Sequence, residues 1–399
     1  MPIYADHAAT HPIRACALEA MTAALRLWGN PSSLHAAGRE AREALEEARR
    51  TVARLLGARP SEIIFTSGGS ESNTAAIRSA AAAGARVGKM HLITSAVEHP
   101  SVLRTMEALA EEGFSVEYLP VTPGGYVTPD RVAAAIRPDT ALVAIMHANN
   151  EIGTIQPIRA IAAICRERGI HVYTDGVQTV GRISVDVQEL GVDTLALSGH
   201  KFGAPRGIGA LYIRKGVPFT PLIPGGHQEG NRRAGTENLP GAMGMAAALT
   251  EAMGRMEEEN QRLAELSNQL AGEITGQVPD VRINGCLLWG LPGGMPCGLP
   301  CGLPCGLPHV VSMTFGGVDG EALVYRLDAE GIQVSAGSAC TAGSADPSHV
   351  ITALGVPPEE ALGTIRVSLG ESNTREDIAR ITEAVVRIVG DLRGTPLGH

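Results

Sequence analysis

The sequence predicts an α/β protein: a mainly parallel sheet with helices on both faces, followed by a smaller α+β domain. Three observations carry this. Short apolar runs alternate with helical patterns from about residue 36 to 215. Residues 239–273 then form one long helical stretch, suited to connect two domains. Strand and helix patterns resume beyond it.

Residues 36–56 are charged and alanine-rich at helical spacing. Residues 62–66 are a short apolar strand that stops at Ser67-Gly68-Gly69, and residues 70–83 read as a helix with a hydroxyl near its start. Apolar runs at 91–95, 115–121, 141–146, 171–174 and 194–197 are strands, with helices at 101–112, 129–136 and 157–168 between them. Residues 208–213 add a strand. The tail offers strands at 310–314 and 365–368 and helices at 320–330 and 374–392. Cys-Gly-Leu-Pro occurs three times over 297–308, and proline at every fourth position makes this a loop.

With 399 residues the chain is long enough for two or three domains. Its formal charge of −9 and 3% aromatic content argue against nucleic acid as the main ligand. No apolar run spans a bilayer and no signal peptide is read, so a cytoplasmic protein is expected. Seven widely spaced cysteines do not suggest a secreted disulfide scaffold.

Six constellations carry chemistry. Lys201, in Ser198-Gly199-His200-Lys201, follows a strand at the edge where open sheets bind ligands, and a lysine there can form a Schiff base. A plain surface lysine is the alternative. Asp175 ends an apolar strand; it either caps a helix or pairs with a buried cation such as the ring nitrogen of pyridoxal phosphate. Gly69 and Ser70 stand where a strand turns into a helix, a place for a phosphate or an ordinary capped turn. His99, at a strand end, can stack on a flat ring or move protons. Cys340 lies among small residues, as a travelling nucleophile or as a small buried side chain. Arg366 interrupts an apolar strand, facing either a substrate carboxylate or an internal acid. The six agree on one chemistry.

The strings 6–10 (DHAAT), 30–35 (NPSSLH), 65–73 (FTSGGSESN), 98–100 (EHP), 149–153 (NNEIG), 174–178 (TDGVQ), 198–201 (SGHK), 234–238 (AGTEN), 337–341 (GSACT) and 365–370 (IRVSLG) occur in this order. With them the chain resembles the cysteine desulfurases of the NifS/IscS type, in the class V aminotransferase group of fold-type-I pyridoxal phosphate enzymes. The resemblance runs from Tyr4 to about Leu392. It implies a large domain with a mainly parallel seven-stranded sheet over 15–255, and a small domain of 1–14 and 256–399 that carries the cysteine loop. It implies that Lys201 carries pyridoxal 5'-phosphate, that Asp175 pairs with the ring nitrogen, and that Gln178 bonds the ring hydroxyl. His99 stacks on the ring. Gly69, Ser70, Ser198 and His200 hold the phosphate, and Thr236 reaches it from the second subunit of a homodimer. Asn150 and Arg366 bind the carboxylate of L-cysteine, and Cys340 takes its sulfur as a persulfide for an acceptor such as an iron–sulfur scaffold protein or for tRNA thiolation.

The sequence departs from the family pattern at His227 and Gly230, and in the insertion near 291–308 that carries the repeat. The insertion is read as an expanded surface loop rather than a thiol site with Cys286 as a further ligand, and no metal is expected. Arg232 and Arg233 are expected on a solvated face. Two other readings stay open: a selenocysteine lyase or other class V enzyme, and an idle scaffold that binds sulfur acceptors.

Overall fold

A computed structural model describes residues 2–286, 305–337 and 346–394. Its strands are β1 (Ile3–Tyr4), β2 (Ile63–Thr66), β3 (His91–Ser95), β4 (Ser115–Leu119), β5 (Thr140–Ala144), β6 (His171–Asp175), β7 (Thr194–Ser198), β8 (Gly209–Ile213), β9 (Val281–Asn284), β10 (Val310–Phe315), β11 (Ile332–Gln333) and β12 (Thr364–Ser368). Seven of them form one sheet in the order β2-β8-β7-β6-β5-β3-β4. The five strands from β7 to β4 run parallel, and β8 is antiparallel to both β7 and β2. These two reversals return the carboxyl end of β2 to the edge that carries the carboxyl end of β7.

Side chains alternate across a strand, so a sheet covered on both faces sends consecutive residues into different cores. Ile93, Val143, Val172 and Leu195 enter one core, with Leu45, Val52 and Leu249 from helices. Their neighbours Leu92, Leu142, Tyr173 and Ala196 enter the other, with Ile77 and Met106. A separate core gathers Ile3 and Ala5 with Leu270, Val311, Met313, Ile365, Ile381 and Val385. It lies over the antiparallel sheet β12-β10-β9 and the parallel pair β1-β11.

The long helical stretch is two helices, Leu239–Gly254 and Met256–Gln277. Arg255 (φ −108°, ψ 0°) ends the first and starts the second. Its side chain pairs with Glu371 and Glu259 at the bend. The two-residue strands β1 and β11 and the polar strand β9 were not anticipated, because runs this short or this mixed carry no period-two signal.

Candidate active site

In the sheet, β3 and β5 are neighbours while the chain leaves β3 for β4 and returns for β5. A crevice opens at such a switch point, beyond the carboxyl ends of the strands. A cavity of about 200 Å³ lies at that edge. Gly69, Ser70, Asn73, His99, Asn150, Asp175, Gln178, Ser198, His200, Lys201 and Arg366 line it. Ten predicted positions and Asn73, from six chain segments, therefore meet at one place, and Thr236 is exposed outside it. Cys340, Cys297, Cys301 and most of the repeat lie outside the described residues.

Lys201 closes the single turn Gly199–Lys201 that follows β7. Its Nζ donates to the carbonyls of Ala8 at 2.7 Å and Ala9 at 3.0 Å. Gln178 Nε2 donates to the same Ala8 carbonyl at 3.1 Å. The 6–10 segment, which returns across the strand ends, thus holds the amine.

Asp175 is buried at the end of β6. It accepts from Asn73 Nδ2 at 2.7 Å and from the Val177 amide at 2.9 Å. Both donors are neutral, so a carboxylate with no cationic partner among the described residues faces the cavity, which suits a protonated ring nitrogen. Asn73 was not singled out as a site residue. It also donates to Ser101 Oγ at 2.8 Å and accepts from the Tyr173 hydroxyl at 2.5 Å. The signal was its spacing, four residues after Gly69 on the helix Gly69–Ala85, one turn below the phosphate-type N-terminus.

His99 is the N-cap of the helix Pro100–Glu111, and its Nδ1 accepts from the Ser101 amide at 3.1 Å. That bond leaves the ring proton on Nε2 while the ring lines the cavity. Burial, then the Lys201 and Arg206 charges, push His200 down to about 4, so it is a neutral imidazole at pH 7. Its Nδ1 lies 3.2 Å from Thr10 Oγ1.

At the other end, β2 runs into Gly68-Gly69 and then the helix Gly69–Ala85, whose first amides open on the cavity. A Cβ on Gly69 would stand 2.8 Å from Val177 Cγ2, and one on Gly68 would face Ser198 Oγ at 3.8 Å. The bare backbone leaves room there for an anion between the helix start and Ser198.

Arg366 is 1% exposed in β12. It donates to Asp6 Oδ1 at 2.7 Å and to the Asn150 carbonyl at 2.9 Å, while its buried Nε has no partner. The internal ion pair is therefore formed, and among the described residues one donor is left unsatisfied beside the cavity. Arg233, expected in solvent, is instead paired with Glu71 at 2.9 Å, because the segment around it folds back over the start of the helix Gly69–Ala85. Cys286 Sγ lies 3.7 Å from the Gly124 carbonyl. No metal-binding group of three or more side chains occurs among the described residues.

The class V aminotransferase family model matches residues 3–288 and 302–381. The chain belongs to this family. It is 47% identical over 392 residues to the cysteine desulfurase IscS of Dictyoglomus turgidum, spanning 98% of this chain and 95% of that protein. It is 45% identical to the cysteine desulfurase IscS of Methanosarcina thermophila, spanning 98% and 93%. Among solved structures it is similar to a NifS-like protein, at a TM-score of 0.88 and 36% identity, covering 98% of this chain and 100% of the other. The cofactor of class V aminotransferases is pyridoxal phosphate, and the residues present fit it. An unpaired carboxylate stands where the ring nitrogen is needed, and a glycine-cleared helix start where the phosphate is needed.

Proposed function

We propose that the protein is a pyridoxal-phosphate-dependent cysteine desulfurase that turns L-cysteine into L-alanine and places its sulfur on Cys340. The observation that carries this reading is the gathering of Lys201, Asp175, His99, Asn150 and Arg366 around one cavity at the carboxyl edge of the sheet. The relatives' identity over nearly the whole chain supports it.

When bound, pyridoxal phosphate supplies an aldehyde for an amine and a protonated ring that draws electrons from the substrate α-carbon. The chain supplies the rest. Asp175 would keep the ring nitrogen protonated, and Asn73 and the Val177 amide orient that carboxylate. Gln178 and Asn150 would bond the ring hydroxyl, and His99 would stack on the ring. Gly69, Ser70, Ser198 and His200 would hold the phosphate, and Thr236 of a second copy would complete the cradle in a homodimer. Lys201 is the base that takes the α-proton at Nζ and returns one. Arg366 Nε, with Asn150, receives the substrate carboxylate. The thiolate of Cys340 attacks the substrate sulfur: the Cys340 Sγ–S bond forms, the substrate C–S bond breaks, and the carbon fragment leaves as alanine after gaining a proton. The resulting persulfide passes to an acceptor protein for iron–sulfur assembly or tRNA thiolation. Residues 15–255 then form the cofactor domain, and 1–14 with 256–399 the domain that carries the cysteine. A cytoplasmic setting belongs to this reading; no helix among the described residues is long and apolar enough to cross a membrane.

The test is turnover of L-cysteine with a reductant, scoring sulfide and alanine together. Wild type is expected to give equal amounts, and Lys201→Ala and Cys340→Ala neither. Sulfide production that survives in Cys340→Ala removes the persulfide reading, and a wild type that binds the cofactor without forming products moves the function to another substrate.

A further inference from the structure

Strand β2 is an edge strand, so the amides on its free side have no strand to bond. The Phe65 amide of β2 and the Ser67 amide, one residue beyond the strand, lie two residues apart. Each is taken by a buried or half-buried carboxylate. The Phe65 amide donates to Glu229 Oε2 at 3.0 Å, and the Ser67 amide to Glu71 Oε2 at 2.8 Å. Each carboxylate is held in turn by an arginine. Arg49 grips Glu229 with two nitrogens, at 2.5 and 2.9 Å, and also bonds the Ile63 carbonyl at 2.9 Å. Arg233 grips Glu71 with two nitrogens, at 2.9 and 3.4 Å.

Glu229 and Arg233 come from one segment, the one that continues to Thr236. Glu229 (φ 48°) and Asn231 (φ 65°) are in the left-handed region that side chains disfavour. Such a conformation persists only where the surroundings over-determine it. Here the bidentate Arg49 pair does so, since Glu229 is 7% exposed and its carboxylate is wholly engaged. The residues these bonds fix, 65–67, are the last ones before Gly68-Gly69 and the helix start that faces the cavity.

We propose that Glu229 and Arg233 are positioning residues that latch segment 229–236 to the strand-to-helix turn, so that the phosphate cradle and the Thr236 hydroxyl are set as one unit. This rests on the reading of Gly69, Ser70 and Thr236 as phosphate-binding. Glu71 faces Arg233 and the Ser67 amide, and Arg49 faces Glu229, Glu46 and the Phe65 ring, so neither latch leaves a carboxylate without a cation. Phosphate binding in one copy and placement of Thr236 in the next are then coupled through the same two ion pairs.

The experiment uses the full chain loaded with pyridoxal phosphate. Cofactor affinity is measured by titrating the apo-protein while following absorbance, and the dimer dissociation constant by sedimentation. Arg233→Gln is expected to weaken cofactor binding about tenfold and dimerisation by a similar factor, with Arg233→Lys recovering most of both. Glu229→Gln is expected to do the same more strongly. Because it leaves Arg49 buried without its partner and can unfold the chain, the paired variant Arg49→Met with Glu229→Leu is the second probe. It is expected to fold and still bind the cofactor weakly. A lowered melting temperature in Arg233→Gln, with cofactor affinity and dimerisation both unchanged, overturns the latch. A wild type that does not bind pyridoxal phosphate at all overturns the phosphate reading instead.

Discussion

Asp175 takes its hydrogen bonds from neutral donors only, and the more demanding of them is Asn73. That one side chain serves Asp175, Ser101 and the Tyr173 hydroxyl while 1% exposed. Removing it leaves a buried hydroxyl and half of a buried carboxylate unmet. Asn73→Ala is expected to cost about 3 kcal/mol in urea unfolding, and to weaken pyridoxal phosphate binding about tenfold. An unchanged cofactor affinity would mean that the Val177 amide alone orients Asp175. Lys201, Asp175 and Arg366 were legible in the sequence because each is a charged group set at the end or middle of an apolar strand. Asn73 was not, since an asparagine inside a helix looks like any solvated polar residue until the topology lays the helix against β6. The Arg366–Asp6 pair was equally hidden, as it joins residues 360 positions apart.

Where elements meet, the approach of β8 to the turn after β2 matters most. Gly209 starts β8, opposite Thr66 of β2 and Ser198 of β7. A Cβ there would lie 2.7 Å from Gly68 Cα and 2.8 Å from the Leu197 carbonyl, backbone on both sides. Backbone cannot swing aside as a side chain does. Gly209→Ala is therefore expected to destabilise the fold by about 2 kcal/mol and to weaken pyridoxal phosphate binding, since Gly68 and Ser198 both face the phosphate region. Thermal unfolding with and without cofactor checks this: an equal loss in both forms would confine the effect to packing. Six strands of the large sheet were legible because buried strands are near-continuous apolar runs; the edge strand β4, mixed and half exposed, carried a weaker signal. The direction of β8 was not legible, because an apolar run reads the same either way along the sheet. The bend at Arg255 was hidden for a related reason: helical spacing continues on both sides of it, and the ion pairs that hold it involve Glu371, distant in sequence.

Across the whole molecule, burial of histidines sets how the fold responds to acid. Burial first, then the charges of His11 and Arg182, push His7 down to about 3. Burial, then Arg182, lowers His11 to about 4, and burial alone takes His147 to about 4. Their unfolded value is near 6.5. His200, also near 4, behaves alike, so between pH 6.5 and about 4 the unfolded chain takes up protons at these four histidines that the native protein refuses, and stability falls as pH falls through that window. Glu98 works in the opposite direction. Burial raises its carboxyl from 4.5 to about 8, against hydrogen bonds from Ser95 and the Met146 amide. The native protein thus holds a proton that the unfolded chain loses above pH 4.5, and this contribution weakens as pH rises toward 8. Near pH 5.5 these histidines outweigh the one acid, and the stability of the fold is expected to drop on acidification. Glu98→Gln keeps a neutral hydrogen-bonding group at the same place and removes the opposing titration. Urea midpoints measured from pH 7 to pH 5 are expected to fall in wild type and to fall more steeply in Glu98→Gln. Parallel slopes would show that Glu98 is already ionised in the native protein, and a flat wild-type profile that the histidines are solvated rather than buried.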